Sequence, residues 1–374
     1  MGKRYLKRSF KVAPGSLLPH YLWFAQFALI THSLTHEHVL PLLQHSIACT
    51  MSAADEVEVD DSENESGYGD ELSVATTSMD SYILRYEQKH GRTYHSYHEG
   101  SYNYPNDPQE QDRLDLVHHA FKLALQDKLF LAPIKLDRPD LRVLDIGTGT
   151  GLWAIEFADE NPHAIVVGVD LSPIQPGWVP PNVRFYVEDI EEDWDEPQRY
   201  DFIHCRYMAG AIADWPALVR RLYHRLNPGG WVEFQETINT LFSDDETLEP
   251  DNALVRLMDH LKDAHNKIGR TLDPAQEFRH WVKEAGFHNI TEQRFKFPVG
   301  PWPKDRRLKE IGACLSMNFT SGVDAFTAKP FRDHLGWSQE EVEVLKAEVR
   351  KAAKRREVHA MFPLVVVTAQ KPGA

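Results

Sequence analysis

Arg142-Val-Leu-Asp-Ile-Gly-Thr-Gly-Thr-Gly151 decides how this chain folds. The apolar run Arg142–Ile146 reads as a short buried strand. Glycines follow at Gly147, Gly149 and Gly151, and a helical pattern begins at Leu152 and runs to about Asp159. Strand, glycine loop and helix in that order form the place where open α/β sheets bind nucleotides, outside the carboxyl ends of their strands. Downstream, Ala164-Ile-Val-Val-Gly-Val-Asp170 reads as a second buried strand. Val183-Arg-Phe-Tyr-Val187 alternates as a third, and Tyr200-Asp-Phe-Ile-His-Cys-Arg206 makes a fourth. A helix over Trp215–Leu226 is stopped by Asn227-Pro-Gly-Gly230, and Trp231-Val-Glu-Phe-Gln235 makes the fifth strand. Strands alternating with helices at this spacing imply right-handed βαβ units and a doubly wound α/β sheet.

Upstream of the glycine loop, Asn106-Asp-Pro-Gln-Glu110 is a helix start, with Asp107 as cap, Pro108 at the first helical position and Glu110 where a capping box wants an acid. Leu114, Val117, Phe121 and Leu125 then recur at helical spacing, carrying the helix to about Leu129. Beyond Glu236 the pattern loosens into helical stretches near 252–268, 275–285, 306–318 and 338–356. A last apolar strand follows at Phe362-Pro-Leu-Val-Val-Val-Thr-Ala369. The extra helices are where a cap over a substrate would be built.

At 374 residues, 42% hydrophobic and 26% charged, the chain can bury a large core, which excludes collagen-like, coiled-coil and wholly disordered classes. The net charge of −15 is uneven. Residues 1–50 hold five bases against Glu37, residues 51–82 hold ten acids and no base, and the remainder carries −9. A domain that acidic lacks the clustered Lys and Arg that neutralise phosphates, so direct binding of nucleic acid is not expected. Cys49, Cys205 and Cys314 form no C-x-x-C, and no histidine pair has ligand spacing, so neither a disulfide framework nor a zinc site is expected.

Three regions follow: an arm over 1–50, an acidic tail over 51–80 and a folded domain over 81–374. The arm is basic, and its apolar run Leu17–Ile30 is broken by Pro19, His20 and Gln26, short of the about 20 apolar residues of a membrane span. It reads either as untranslated sequence ahead of a start at Met51 or as a mitochondrial-type targeting segment. The tail is too acidic and Ser-rich to bury enough apolar surface for order.

The glycine loop is followed by Asp170, 19 residues past Gly151 at the end of the second strand, where an acid accepts hydrogen bonds from ribose hydroxyls. Asp189 lies just past the third strand, where a polar group would meet an adenine amino group. A dinucleotide fingerprint would need its third glycine at Leu152. The glycines run G-x-G-x-G instead, with Asp145 two residues before the first, placed for the amino end of a methionine moiety. These features favour S-adenosyl-L-methionine over NAD.

Residues 140–236 resemble motif I and the following strands of the Rossmann-like class I methyltransferases. The tyrosine-rich segment Tyr94-His-Ser-Tyr-His-Glu-Gly-Ser-Tyr-Asn-Tyr-Pro, continuing to His119, looks like the segment that precedes motif I in fungal LaeA-like methyltransferases. Leu171-Ser-Pro-Ile-Gln-Pro-Gly-Trp-Val-Pro-Pro-Asn182 looks like their loop after the second strand. The resemblance spans about residues 68–240. It implies a mostly parallel seven-stranded sheet with helical cap insertions and S-adenosylmethionine-dependent methyl transfer. Members of the family act in secondary-metabolite biosynthesis or as nuclear regulators of it. The residues expected at the cofactor are Asp145, Gly147, Gly149, Gly151, Asp170, Leu171, Asp189 and Arg206.

Methyl transfer from a sulfonium needs alignment of the reacting atoms more than acid or base chemistry. A base helps only when the acceptor stays protonated, and a group titrating near working pH suits that task, which points to histidine. Adjacent helical residues diverge by about a hundred degrees, so only one of His118 and His119 should face the pocket, and His119 is the expected one. The competing reading is a histidine hydrogen-bonded in the interior. Arg206 either meets the methionine carboxylate or an anionic substrate, or anchors an ion pair, and Glu236 after the fifth strand is similarly placed. Tyr94, Tyr97, Tyr102 and Tyr104 would form either an aromatic lid or part of the core. No acid cluster suggests a metal, so metal-independent chemistry is expected. The basic run Lys346, Arg350, Lys351, Lys354, Arg355 and Arg356 reads as a solvated helix face, with nuclear import as the alternative. The expected activity is O- or N-methylation of a small secondary metabolite in the cytoplasm or nucleus. The alternatives are a regulator of the same fold that methylates protein or works in a complex, and an NAD-dependent oxidoreductase.

Overall fold

The computed structural model describes residues 86–98, 100, 102–192 and 198–373. The arm over 1–50 and the acidic tail over 51–80 lie outside the described residues. Two short strands, β1 (Glu87–Lys89) and β2 (Arg92–Tyr94), pair antiparallel ahead of helix α1 (Pro108–Ala124). Asp107 caps α1 by accepting from the Glu110 backbone N–H at 3.0 Å. The Glu110 carboxylate pairs with Arg113 inside the helix, and Asp107 also binds Arg92 of β2, so the cap ties the hairpin to α1.

The glycine-loop unit follows as β3 (Arg142–Ile146), α2 (Leu152–Glu160) and β4 (Ile165–Asp170). After it come β5 (Val183–Val187), β6 (Tyr200–Arg206), α3 (Trp215–Arg225) and β7 (Leu226–Thr237). Helix α4 (Ala253–Lys267), helix α5 (Phe278–Glu284), strand β8 (His288–Pro298), helices α6 (Arg306–Lys329) and α7 (Gln339–Ala352), and strand β9 (Met361–Gln370) complete the described chain. The main sheet has seven strands in the order β5-β4-β3-β6-β7-β9-β8. The pairs from β5 to β7 are parallel, and β9 enters antiparallel between β7 and β8.

Alternation along the central strands supplies both faces with apolar side chains, as a parallel sheet covered on both sides requires. Leu144, Ile146, Val167, Val169 and Ile203 face a layer built from Trp215, Leu218 and Leu222 of α3 and Phe278 and Val282 of α5. Val143, Val166 and Phe202 face Trp153 and Phe157 of α2. Polar residues continue this second face toward the carboxyl ends of the strands. Asp145, His204 and Glu233 are neighbours across β3, β6 and β7 in the strand register. Glu233 is fully buried and accepts backbone N–H groups from Leu131 at 2.8 Å and Ala132 at 2.6 Å, which fixes the chain leading into β3. Burial pushes its carboxyl up to about 7.

Three features differ from the sequence expectations. Strand β8 falls between the helical stretches expected at 275–285 and 306–318, where the sequence pattern names no element; its residues are mostly exposed along an edge, so no apolar run marks it. Helix α6 runs to Lys329 rather than 318, because Gly322 is used for close packing and does not end the helix. A Cβ there would lie 2.4 Å from Arg113 Cδ of α1. Strand β7 begins at Leu226, so Asn227–Gly230 enters the strand directly. Among the described residues no helix is long and apolar enough to cross a membrane. Of the basic run, Lys346 and Arg350 pair with Asp324 of α6.

Phe202 is fully buried beside Trp153, Phe157 and Phe130. Phe202→Ala should lower the unfolding free energy by about 3–5 kcal/mol, the usual cost of deleting a core phenyl ring. Urea denaturation measures it, and a loss under about 1 kcal/mol would contradict this packing.

Candidate active site

The loop between β3 and α2 is shaped by its glycines. Gly147 has φ +64°, Gly149 +57° and Gly151 +83°, conformations that L side chains rarely adopt. At Gly147 a Cβ would also lie 2.0 Å from Met208 Sδ, so a side chain there would have to displace the methionine of the turn after β6. Asp145, at the end of β3, anchors the loop. Its Oδ2 accepts from the Thr148 hydroxyl at 2.6 Å, and its Oδ1 lies 2.7 Å from His204 Nδ1, which donates to it. The His204 ring stacks on Trp153 with centroids 3.8 Å apart, and burial pushes its pKa down. Asp170, at the end of β4, holds the loop from the other side. Its Oδ2 accepts from the Gly149 N–H at 2.8 Å and its Oδ1 from the Ser172 N–H at 2.9 Å, and burial raises its pKa. Gln175 in the loop after β4 donates to the Gly149 carbonyl at 2.6 Å.

A cavity opens above this loop. It brings together Asp145, Gly147, Gly149, Asp170, Leu171, Asp189 and Arg206. Gly151 is not among the lining residues; it begins α2, with Phe185 filling the space a Cβ would take. Asp189 accepts from the Glu191 N–H at 2.8 Å and lies 2.7 Å from His98 Nδ1, so the tyrosine-rich segment reaches over the cavity at this point.

Arg206 closes the opposite end. Its Nη2 donates to His118 Nδ1 at 2.7 Å, and its guanidinium lies 5.4 Å from the Phe121 ring centre. Among the described residues no carboxylate pairs with it, and burial lowers its pKa to about 10. Because His118 Nδ1 accepts, the ring carries its proton on Nε2, 3.3 Å from Glu156 Oε1. Lys122 holds the other oxygen of Glu156 at 2.7 Å. Burial, then the Arg206 charge, push the His118 pKa down to about 4, so the ring is neutral near pH 7.

The expectation that His119 faces the pocket is therefore corrected. His118 lines the cavity, while His119 points to Glu310 of α6, 3.3 Å away, and is about one-third exposed. The cap helix α6, whose extent the sequence pattern did not reveal, supplies the partner that turns this face of α1 away from the cofactor side. The tyrosines divide as well. Tyr94 is core, with Lys329 Nζ 4.8 Å from its ring centre, and Tyr97 stacks on His98 at 4.3 Å. Tyr102 lines the cavity, and Tyr104 lines a second one.

That second cavity lies under the cap between α1, α4, α6 and the end of β7. It shares Tyr102, Val117 and Tyr207 with the first, so the two meet at those side chains. Its polar lining includes Glu236, Asn239, Arg113 and Asn318. Arg113, Tyr207, Asn239 and Asn318 were not singled out from the sequence. Arg113 donates to both oxygens of Glu110 at 2.6 and 2.9 Å and to Asn318 Oδ1 at 2.8 Å, a set of contacts made across two helices far apart in the chain. Among the described residues no cluster of side chains could hold a metal ion.

The first cavity is lined by the carboxylates Asp170 and Asp189, at or just past the ends of β4 and β5, and by the largely buried Arg206 guanidinium, which has no carboxylate partner among the described residues. A family model described as a methyltransferase domain matches residues 116–292. The chain is 57% identical over 297 residues to methyltransferase pytC of Aspergillus terreus, covering 79% of this chain and 91% of that protein. It is 36% identical over 290 residues to secondary metabolism regulator LAE1 of Cochliobolus heterostrophus, covering 76% and 94%. It is 37% identical to secondary metabolism regulator laeA of Aspergillus fumigatus, covering 76% of each. A solved structure of phosphoethanolamine N-methyltransferase 2 of Haemonchus contortus with S-adenosyl-L-methionine aligns with 81% of this chain and 74% of that one, at a TM-score of 0.45 and 18% identity. The strand order, the glycine loop and relatives matched over most of their length make this chain a member of the LaeA-like, S-adenosylmethionine-dependent class I methyltransferases.

Proposed function

We propose that the protein transfers a methyl group to an oxygen or nitrogen of a small secondary metabolite, with the cofactor in the first cavity and the acceptor in the second. The meeting of the two cavities at Tyr102, Val117 and Tyr207 carries this reading, because in-line transfer needs an acceptor atom facing the methyl across a short, water-poor neck. S-adenosylmethionine supplies a methyl group on a sulfonium, an already activated leaving group. The glycine loop at Gly147 and Gly149, with Leu171, would let the backbone approach it, while Gly151 shapes the turn into α2. Asp170 would bind the ribose hydroxyls and Asp189 the adenine side. Asp145 and Arg206 would hold the amino and carboxylate groups of the methionine end. His118 accepts from Arg206 without carrying charge, so it orients the guanidinium and leaves its positive charge to the carboxylate. The assigned domain spans 81–374 and acts in the cytoplasm or nucleus. A regulatory role, on protein or within a complex, is a second reading favoured by the relatives named as secondary metabolism regulators.

Calorimetric titration with S-adenosylmethionine tests the cofactor site. Asp170→Ala should weaken binding by at least about tenfold, as expected for loss of hydrogen bonds to an ionised group, and undiminished binding would remove Asp170 from the site. Metabolite profiles of the native host and a Gly149→Asp strain then separate the two functions. One compound lacking a single methyl supports the biosynthetic reading, and simultaneous loss of unrelated compound families supports the regulatory one. The neutral state of His118 is checked by nitrogen NMR. Its Nε2–H tautomer should persist at pH 6 and titrate near 4, and a midpoint near 6.5 would contradict the placement on Arg206.

A further inference from the structure

The second cavity has walls of one character and a polar end of another. Phe297, Phe319, Phe326 and Phe362 with Leu261 and Leu315 make most of its surface apolar and flat-sided. Arg113 is the only Lys or Arg among the lining residues described, and Glu110 already takes two of its nitrogens. A carboxylate-bearing acceptor would therefore enter with no uncommitted cation to meet it, a costly arrangement in an apolar cavity.

Glu236 stands at the end of β7, 1% exposed, with its rotamer fixed by the backbone. Its Oε2 accepts from the Ala209 N–H at 2.8 Å and its Oε1 from the Thr237 N–H at 3.0 Å. The Thr237 hydroxyl adds a longer contact to Oε1 at 3.5 Å, and the Met208 backbone also bonds the carboxylate. The acceptor capacity left on this carboxylate suits a single incoming donor, whereas an ammonium brings three. A protonated amine held there would also lack the lone pair that attacks the methyl group.

We propose that this cavity binds a predominantly apolar molecule that presents a neutral hydroxyl, a phenol or an enol, to Glu236, and that the Glu236 carboxylate takes the hydroxyl proton during O-methylation. The proposal rests on the reading of the two cavities given above. In the step, a lone pair of the acceptor oxygen forms the new O–C bond. The methyl carbon separates from sulfur, which keeps the bonding pair, and the hydroxyl proton passes to Glu236. The products are a methyl ether, S-adenosylhomocysteine and a protonated carboxyl. Burial raises the Glu236 carboxyl to about 7, so near neutrality it is both ionised in good part and basic enough to accept a proton. The titratable groups around it are Tyr102, Tyr104 and Tyr207 in the lining, Arg113 with Glu110 on α1, Cys205 on β6, and His265 of α4 behind Tyr104. Burial pushes Tyr104 and Cys205 upward and His265 downward, so those three stay uncharged as Glu236 ionises.

The test titrates the full chain, saturated with S-adenosylhomocysteine, with three probes on one skeleton: 2-naphthol, 2-naphthoate and 2-naphthylmethylamine. The naphthol should bind at least about tenfold tighter than either charged probe, the worth of one hydrogen bond to an ionised group. Its affinity should rise as pH increases through about 7, where Glu236 ionises. In Glu236→Gln that rise should vanish while S-adenosylhomocysteine affinity stays the same. Leu261→Trp, which fills the cavity and leaves the carboxylate in place, should abolish naphthol binding alone. With S-adenosylmethionine, transfer to a phenol should fall by about a hundredfold or more in Glu236→Gln, the usual contribution of a general base. Preference for naphthoate or the amine, or transfer to no phenol by the native protein, overturns the acceptor class. Transfer in Glu236→Gln within about tenfold of native overturns the base role. Failure of S-adenosylhomocysteine to bind the native protein would instead sink the two-cavity reading on which this one stands.

Discussion

A buried carboxylate with two obligations organises this domain. Asp145 lies 3% exposed in the middle of a parallel sheet, where an unpaired charge would cost several kcal/mol. Its oxygens are satisfied by the Thr148 hydroxyl and the His204 ring, so a strand, the glycine loop that follows it and the neighbouring strand hold one geometry. Trp153, at the start of the helix after the loop, stacks on the same histidine within 4° of parallel and closes the unit. The loop is held from the other side by Asp170 through the Gly149 N–H. Contacts within the protein itself thus hold the loop in shape, which lowers the ordering cost of binding.

The cap is held by a different arrangement. Arg113 on α1 is fully engaged with Glu110 on its own helix and with Asn318 on α6, and Gly322 lets the two helices approach at that point. A charge pair so deep is expensive unless every donor is used, and here each guanidinium nitrogen has an acceptor. The same contact leaves the second cavity without an uncommitted Lys or Arg among the described residues. One packing solution thus fixes how α1 sits against α6 and where the charge of Arg113 is spent. The carboxyl ends of the strands line the first cavity and the cap helices line the second, so the two spaces are built from different parts of the chain.

How far each part was legible depends on whether its signal is local. The strands β3, β4, β5 and β6 are apolar runs or clean alternations bounded by turn residues, and their order follows from the handedness of βαβ units. Asp145, Asp170 and Asp189 occupy fixed offsets from those strands, so their convergence on one cavity could be expected. Strand β8 had no such signal, since its side chains lie mostly in water at the sheet edge and its partners come from β9 far along the chain. Helix α1 was visible, but which of two adjacent histidines faces inward was decided by Glu310 on one side and Arg206 on the other.

By itself, then, the sequence determined the alternation of strands and helices, the glycine loop and the acids that follow it, because hydrophobic period, backbone freedom and short offsets are properties of neighbouring residues. The tertiary structure alone decided which histidine is buried neutral, that Arg113 is spent on Glu110, and that Glu236 closes a second cavity against the cap. Those outcomes depend on desolvation and on partners brought from distant elements, and neither quantity exists until the chain has packed.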